Sequence, residues 1–151
     1  MIVSIDPGAI SGAIAFHADN GMVIVTDLPV ADGQIDAVSL YKALAGRNIR
    51  AFVVERVGSM PKQGVASTFK FGVSVGIIHG LVAALAVPMH LIAPTVWKRG
   101  VGLPVGADKE AARALALRLY PQIHGLERKK DAGRAEALLI GHYWITRREA
   151  A

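Results

Sequence analysis

Four carboxylates stand where a folded chain has least use for them. Asp6 ends the apolar run IVSI at 2–5, and Glu55 interrupts AFVVERV at 51–57. Glu136 lies at the start of the apolar segment RAEALLIG at 134–141, and Asp131 stands five residues before it. Burying an unpaired carboxylate is costly, so such groups pair with a base or bind a cation. Taken singly, each acid has an ion-pair or capping account: Glu55 with Arg56, Glu136 with Arg134, and Asp131 with the dipole of the helix that follows. Taken together, converging like charges would repel strongly unless divalent cations neutralise them. Oxygen donors without a thiolate favour Mg²⁺ or Mn²⁺ over zinc. The chain has no cysteine, which removes thiolate zinc sites, disulfides and cysteine nucleophiles. Its five histidines form no i,i+4 metal pair.

Positioning these acids in one place requires particular elements. Residues 1–5 read as a strand ended by the Asp6-Pro7-Gly8 turn, and Ser11 to Phe16 as a second. Ala18-Asp19-Asn20-Gly21 signals a hairpin, because Asn-Gly tolerates positive φ, and Met22 to Asp27 then reads as the third strand. Leucines at 40 and 44 predict a helix over Asp36 to Ala45. Ala51 to Val57 is a β-branched run, expected to lie parallel to the first strand because a helix precedes it. Residues 58–64 (GSMPKQG) form a polar loop, and a helix is expected from Ser67 to Leu85. Met89 to Ala93 reads as a fifth strand closed by Pro94. Two more helices are expected, at Ala107 to Leu119 with Asp108 as N-cap and at Arg134 to Arg147. The order βββαβαβαα predicts an α/β fold with a mixed five-stranded sheet flanked by helices. Asp6 and Glu55 then sit at the carboxyl ends of neighbouring strands, where side chains can meet in a crevice. A final helix crossing the sheet could present Glu136 there. Asp131 can join only from a turn before that helix, since residues five apart do not stack on one helical face.

Length and composition narrow the partners. The 151 residues, 52% hydrophobic and 19% charged, suit one ordered domain. Seventeen Lys and Arg against twelve Asp and Glu give a net charge of +5, which favours a polyanion such as nucleic acid. Lys62, Lys98, Arg99, Lys109, Arg128, Lys129 and Lys130 are the candidate phosphate contacts. Trp97 could stack on a base or pack in the core. The long low-charge stretch from Phe71 to Pro88 contains His79 and three glycines. It falls short of the roughly 20 apolar residues that span a bilayer, and reads as a buried helix. Gly72, Gly76 and Gly80 share one helical face, which suggests close approach by the sheet or by a second subunit's helix. No membrane association is expected. MIVSIDPGAI places an acid and a proline where a secretory signal needs an apolar run.

These residues carry a resemblance. IDPG at 5–8 before an apolar strand, VVER at 53–56 and KKDAGRAEALLIG at 129–141 resemble RuvC-type Holliday junction resolvases of the phage and prophage kind. PTVWK at 94–98 and DKEAAR at 108–113 match more weakly. The sequence departs from the pattern on the last helix, where positions 133 and 132 are Gly and Ala rather than an acid or histidine. The resemblance implies a ribonuclease H-like fold. It also implies two-metal-ion hydrolysis with Asp6, Glu55, Asp131 and Glu136 as catalytic ligands of two Mg²⁺ or Mn²⁺ ions. A homodimer would make symmetric nicks with 5′ phosphates in a four-way DNA junction, in the cytoplasm of a bacterium or of a phage-infected host. A ribonuclease H or other structure-specific nuclease, and a non-cleaving junction-binding module, share the fold. A strand followed by a D-x-G turn also opens the actin and sugar-kinase superfamily, which needs a second domain and phosphate loop.

Overall fold

Strands in the middle of a sheet are covered on both faces and must be apolar almost throughout. The chain spends its most continuous apolar runs accordingly. The computed structural model describes residues 1–8, 12–58, 64–104 and 106–149. Strand β1 (Ile2–Asp6) pairs antiparallel with β2 (Ala13–His17), which pairs antiparallel with β3 (Val23–Asp27). On its other side β1 runs parallel to β6 (Ala51–Glu55), and β6 runs parallel to β7 (Met89–Ile92). The order β3-β2-β1-β6-β7 is the mixed five-stranded, ribonuclease H-like arrangement expected. At the first hairpin Gly21 alone takes positive φ, at 85°, and its N–H donates to the Ala18 carbonyl at 3.0 Å. A second turn was not anticipated. Asp32 and Gly33 both have positive φ and join β4 (Val30–Ala31) to β5 (Gln34–Ile35) in a short ribbon.

Side-chain alternation divides the core in two. Val3, Ile5, Phe52 and Val54 face α1 (Ala37–Leu44) and α2 (Val65–Ala84), meeting Leu40, Leu44, Ile78 and Val82. Ile2, Ala51 and Val53 face the opposite layer with α3 (Pro94–Gly100), α4 (Lys109–Leu119) and α5 (Ala132–Glu149). Asp36 caps α1 by accepting the Val38 and Ser39 N–H groups, and Asp108 caps α4 by accepting that of Ala111 at 2.8 Å. Pro94 does more than close β7: it occupies the first turn of α3, where its missing N–H costs nothing.

Helix α2 differs from expectation. Only Ser74, Ile78 and Val82 of its 20 residues are buried, while Val65 is 88% and Phe69 72% exposed. By length and composition it is apolar enough to cross a bilayer, yet its inner face is docked on the sheet. A Cβ placed on Gly72, Gly76 or Gly80 would meet nothing within 4 Å. The glycine face therefore does not serve close packing on the sheet.

Helix α5 lies across β1, β2, β3 and β6, pinned by a buried polar contact. Ser4 Oγ donates to the Ala137 carbonyl at 2.7 Å and lies 2.9 Å from His17 Nε2. The hydroxyl has one proton, so His17 Nε2–H must donate to it. Burial, with the nearby His142 adding, pushes the His17 pKa down to about 4, so the ring is neutral. Its buried Nδ1 has no hydrogen-bond partner. Gly141 is obligatory here, because a side chain would overlap the His17 ring and Ser4 Oγ.

Candidate active site

Strand period places Asp6 on the same face as Ile2 and Ser4, and Glu55 on the face of Ala51 and Val53. Both therefore point toward α5. Ile5 is opposite Val54 in the parallel β1–β6 ladder, so the two acids occupy the next step at the strand ends. Neighbouring strands lie about 4.8 Å apart, which makes them close neighbours. Glu136, one turn into α5 and 7% exposed, completes the group. Its backbone position is set by the adjacent Ser4–Ala137 hydrogen bond.

The electrostatics reflect this crowding. Burial pushes the Asp6 carboxyl up to about 8, and the charges of Glu55 and Glu136 add to the rise, while Lys109 and Lys98 oppose it. Burial also raises Glu55; a hydrogen bond from Trp97 works against the rise, and the Glu136 charge reinforces it. Trp97 is fully buried, and its Nε1–H donates to Glu55 Oε1 at 2.8 Å. Lys98 Nζ lies 2.9 Å from Glu136 Oε1. Burial disfavours its charge, but the Glu136 hydrogen bond and the three carboxylates hold its pKa above the usual value. Adjacent residues of α3 thus restrain two of the three acids.

Asp131 is not brought into this group. It ends a 3₁₀ turn (Lys129–Asp131) that leads into α5, and its side chain is 2% exposed. Its carboxylate accepts the Arg128 N–H at 2.8 Å and the Arg128 guanidinium at 2.8 Å, with Arg134 Nη1 at 3.8 Å. The Arg128 hydrogen bonds hold its pKa down at about 2. Its charge acts on Asp27 and Glu127 nearby. In this structure Asp131 is engaged by Arg128 and Arg134 at the turn that starts α5, and its expected part as a fourth ligand would need those contacts to give way. Arg134 spans to Asp27 as well, at 2.7 Å through Nε, so it is not the partner of Glu136.

The candidate phosphate contacts divide. Lys109 is exposed at the start of α4, near enough to act on Asp6 and Glu55. Lys98 is turned into the acids, and Arg128 is committed to Asp131. Arg99, Lys129 and Lys130 are exposed. Lys62, with Met60 and Gln63, lies outside the described residues. Sequence reasoning missed the inward turn of Lys98; its place beside a tryptophan in PTVWK is the one signal available.

Among the described residues, no three carboxylate or imidazole groups converge closely enough to hold an ion as they stand. Glu55 is drawn to Trp97 and Glu136 to Lys98. The donor chemistry nevertheless fits a hard divalent cation: three carboxylates, one with its pKa raised to about 8 by burial and by the other two acids. A lysine already supplies part of that charge.

No family model matches the chain, and no curated protein matches it in sequence. Solved structures do. The chain superposes on Thermus thermophilus RuvC in complex with a Holliday junction substrate with a TM-score of 0.69 and 14% identity, over 96% of this chain and 94% of that one. The yeast mitochondrial Holliday junction resolvase gives a TM-score of 0.57 at 14% identity, covering 95% of this chain and 77% of that one. The Fowlpox virus resolvase, solved with Holliday junction DNA, gives 0.58 at 14% identity, over 97% of this chain and 99% of that one. The chain has the fold of these proteins.

Proposed function

We propose that this chain is an endonuclease that resolves four-way DNA junctions, with Asp6, Glu55 and Glu136 holding two Mg²⁺ or Mn²⁺ ions. The observation that carries the reading is the pair of acids at the ends of the two central parallel strands with Glu136 of α5 beside them, where burial first and the neighbouring charges second raise Asp6 to about 8. Its fold, shared with resolvases bound to junction DNA, supports the choice of substrate.

Divalent ions bound there would lower the pKa of a water and stabilise the leaving 3′ oxygen. The protein's own part is positional. Asp6, on the central strand, is the acid that can serve both ions. Trp97 orients Glu55, and Ser4 holds the α5 backbone beside Glu136. Lys98 neutralises Glu136 until it is displaced. Lys109, exposed at the rim, is suited to a DNA phosphate. Asp131, tied to Arg128 and Arg134, fixes the start of the helix that carries Glu136.

Cutting two symmetric strands calls for two related sites, hence a homodimer. The exposed face of α2, with Val65, Phe69 and the open glycine stripe, suits a second copy of the chain. An enzyme of this kind would act where DNA is processed, in a bacterial or phage-infected cytoplasm.

The test is a labelled synthetic four-way junction incubated with Mg²⁺, Ca²⁺ or chelator, beside linear duplex, flap and RNA–DNA hybrid. Paired nicks at symmetric positions with Mg²⁺, absent with chelator, are expected. Preferential cutting of the hybrid would move the assignment to a ribonuclease H. Cutting that survives chelation would remove the metal mechanism.

A further inference from the structure

We propose that a groove between β7 and the end of α5 is a second phosphate site, gripping the DNA arm that leads away from the three acids. The inference rests on the nuclease reading and specifies where that enzyme holds its substrate.

The groove has a volume of about 410 Å³, and its lining includes Arg56, Arg147 and Arg148 but no acidic residue. All three arginines are exposed, and none is ion-paired to a carboxylate among the described residues. Four other arginines are committed, Arg50 to Asp19, Arg113 to Glu110, Arg128 to Asp131 and Arg134 to Asp27, while Arg99 and Arg118 are not part of this groove. Three uncommitted guanidiniums around one concavity are thus a distinct feature, and a poor arrangement unless an anion enters.

Two of them are pre-positioned. The Arg147 guanidinium carbon lies 5.7 Å from the Tyr143 ring centre, and that of Arg148 lies 4.9 Å from the Trp144 ring centre. Trp144 is in turn braced by His90, with ring centres 4.3 Å apart. A guanidinium resting on an aromatic face keeps its N–H edge free, and that edge matches two phosphate oxygens. Ordering these side chains beforehand lowers the entropic cost of binding.

The groove also adjoins the proposed chemistry. Arg56 follows Glu55 directly, and Val96 in the groove wall precedes Trp97 and Lys98 on α3. A strand cut at the acids would continue past these residues. Charge complementarity selects a nucleic-acid backbone as occupant. The exposed β7 edge, with Leu91 at 38% exposure, is the feature that a partner protein's strand would use instead.

The experiment measures junction affinity as a function of salt, in Ca²⁺, for the wild-type protein, Arg147→Ala/Arg148→Ala and Arg147→Lys/Arg148→Lys. Melting temperatures accompany each. Each lost phosphate contact flattens the slope of log K against log salt by about 0.9. The alanine pair is expected to flatten it by about 1–2 and to weaken binding about tenfold or more at low salt. Its single-turnover cutting rate at saturating enzyme with Mg²⁺ should stay as in wild type. The lysine pair should restore the slope and only part of the affinity. An unchanged slope and affinity in the alanine pair overturns the proposal and leaves the β7 edge to a protein partner. A wild-type protein that binds no branched DNA at any salt overturns the nuclease reading, and the groove assignment with it.

Discussion

Removing the negative charge of Asp6 should make the metal-free protein more stable while destroying its activity. Asp6→Asn keeps the shape of the side chain and deletes the ionisation. The carboxyl has an ordinary pKa of 3.8 that burial and two neighbouring acids raise to about 8 in the folded chain. A raised acid pKa means that the folded state binds its proton more tightly than the unfolded state. Wild-type stability therefore falls as pH climbs from about 4 to about 8, and levels off above that. At about 1.4 kcal/mol per pKa unit, the full rise corresponds to at most about 6 kcal/mol. Side-chain rearrangement and water entry reduce such penalties, and about 2 kcal/mol is a sound working figure. For a chain of this size that is about 4–8 °C in melting temperature. The assay is thermal melting in chelator at pH 4, 7 and 9. The asparagine variant should match wild type at pH 4 and exceed it increasingly toward pH 9. Added Mg²⁺ should then raise wild type more than the variant. Equal melting temperatures at pH 9 in chelator would refute the claim that burial and the neighbouring acids penalise the charge of Asp6.

Three further outcomes follow from named contacts. Lys98→Met leaves Glu136 buried without its base; melting in chelator should show a loss of about 1–3 kcal/mol, which Mg²⁺ largely restores. Trp97→Phe keeps the ring but deletes the hydrogen bond that lowers the Glu55 pKa. The acid limb of the cutting rate against pH should move to higher pH, and a move the other way would contradict the assignment. Ser4→Ala strands the Ala137 carbonyl and the His17 N–H in the core; denaturant melts should register a loss of about 1–3 kcal/mol.

Much of the framework was legible because it rests on periodicity. Alternation along β1 and β6 puts Asp6 and Glu55 on one face, and the break in an apolar helix marks Glu136. What was not legible depends on partners distant in the chain. An acid open to a cation and one engaged by arginines look alike in sequence, and the approach of Arg128 and Arg134 is what gives Asp131 surroundings different from those of the other three. The exposure of α2 was hidden for a related reason: an apolar helix awaiting a partner has the composition of one already buried. The turn at Asp32-Gly33 did carry an explicit dipeptide signal, but its strands are only two residues long and show no alternation to read. Lys98 turns inward because α3 begins at Pro94 immediately after β7, a packing angle with no counterpart in local pattern.

The placement of Glu136 on α5 has a bearing on synthesis. A nascent chain presents Asp6 first, then Glu55, and the helix bearing the third acid emerges last of the three. That helix takes its seat across strands that must already be formed, through Ser4, His17 and the notch at Gly141. Under the proposed reading, an unfinished polypeptide on the ribosome is harmless to DNA. Competence to cut arrives in the same step that closes the second half of the core.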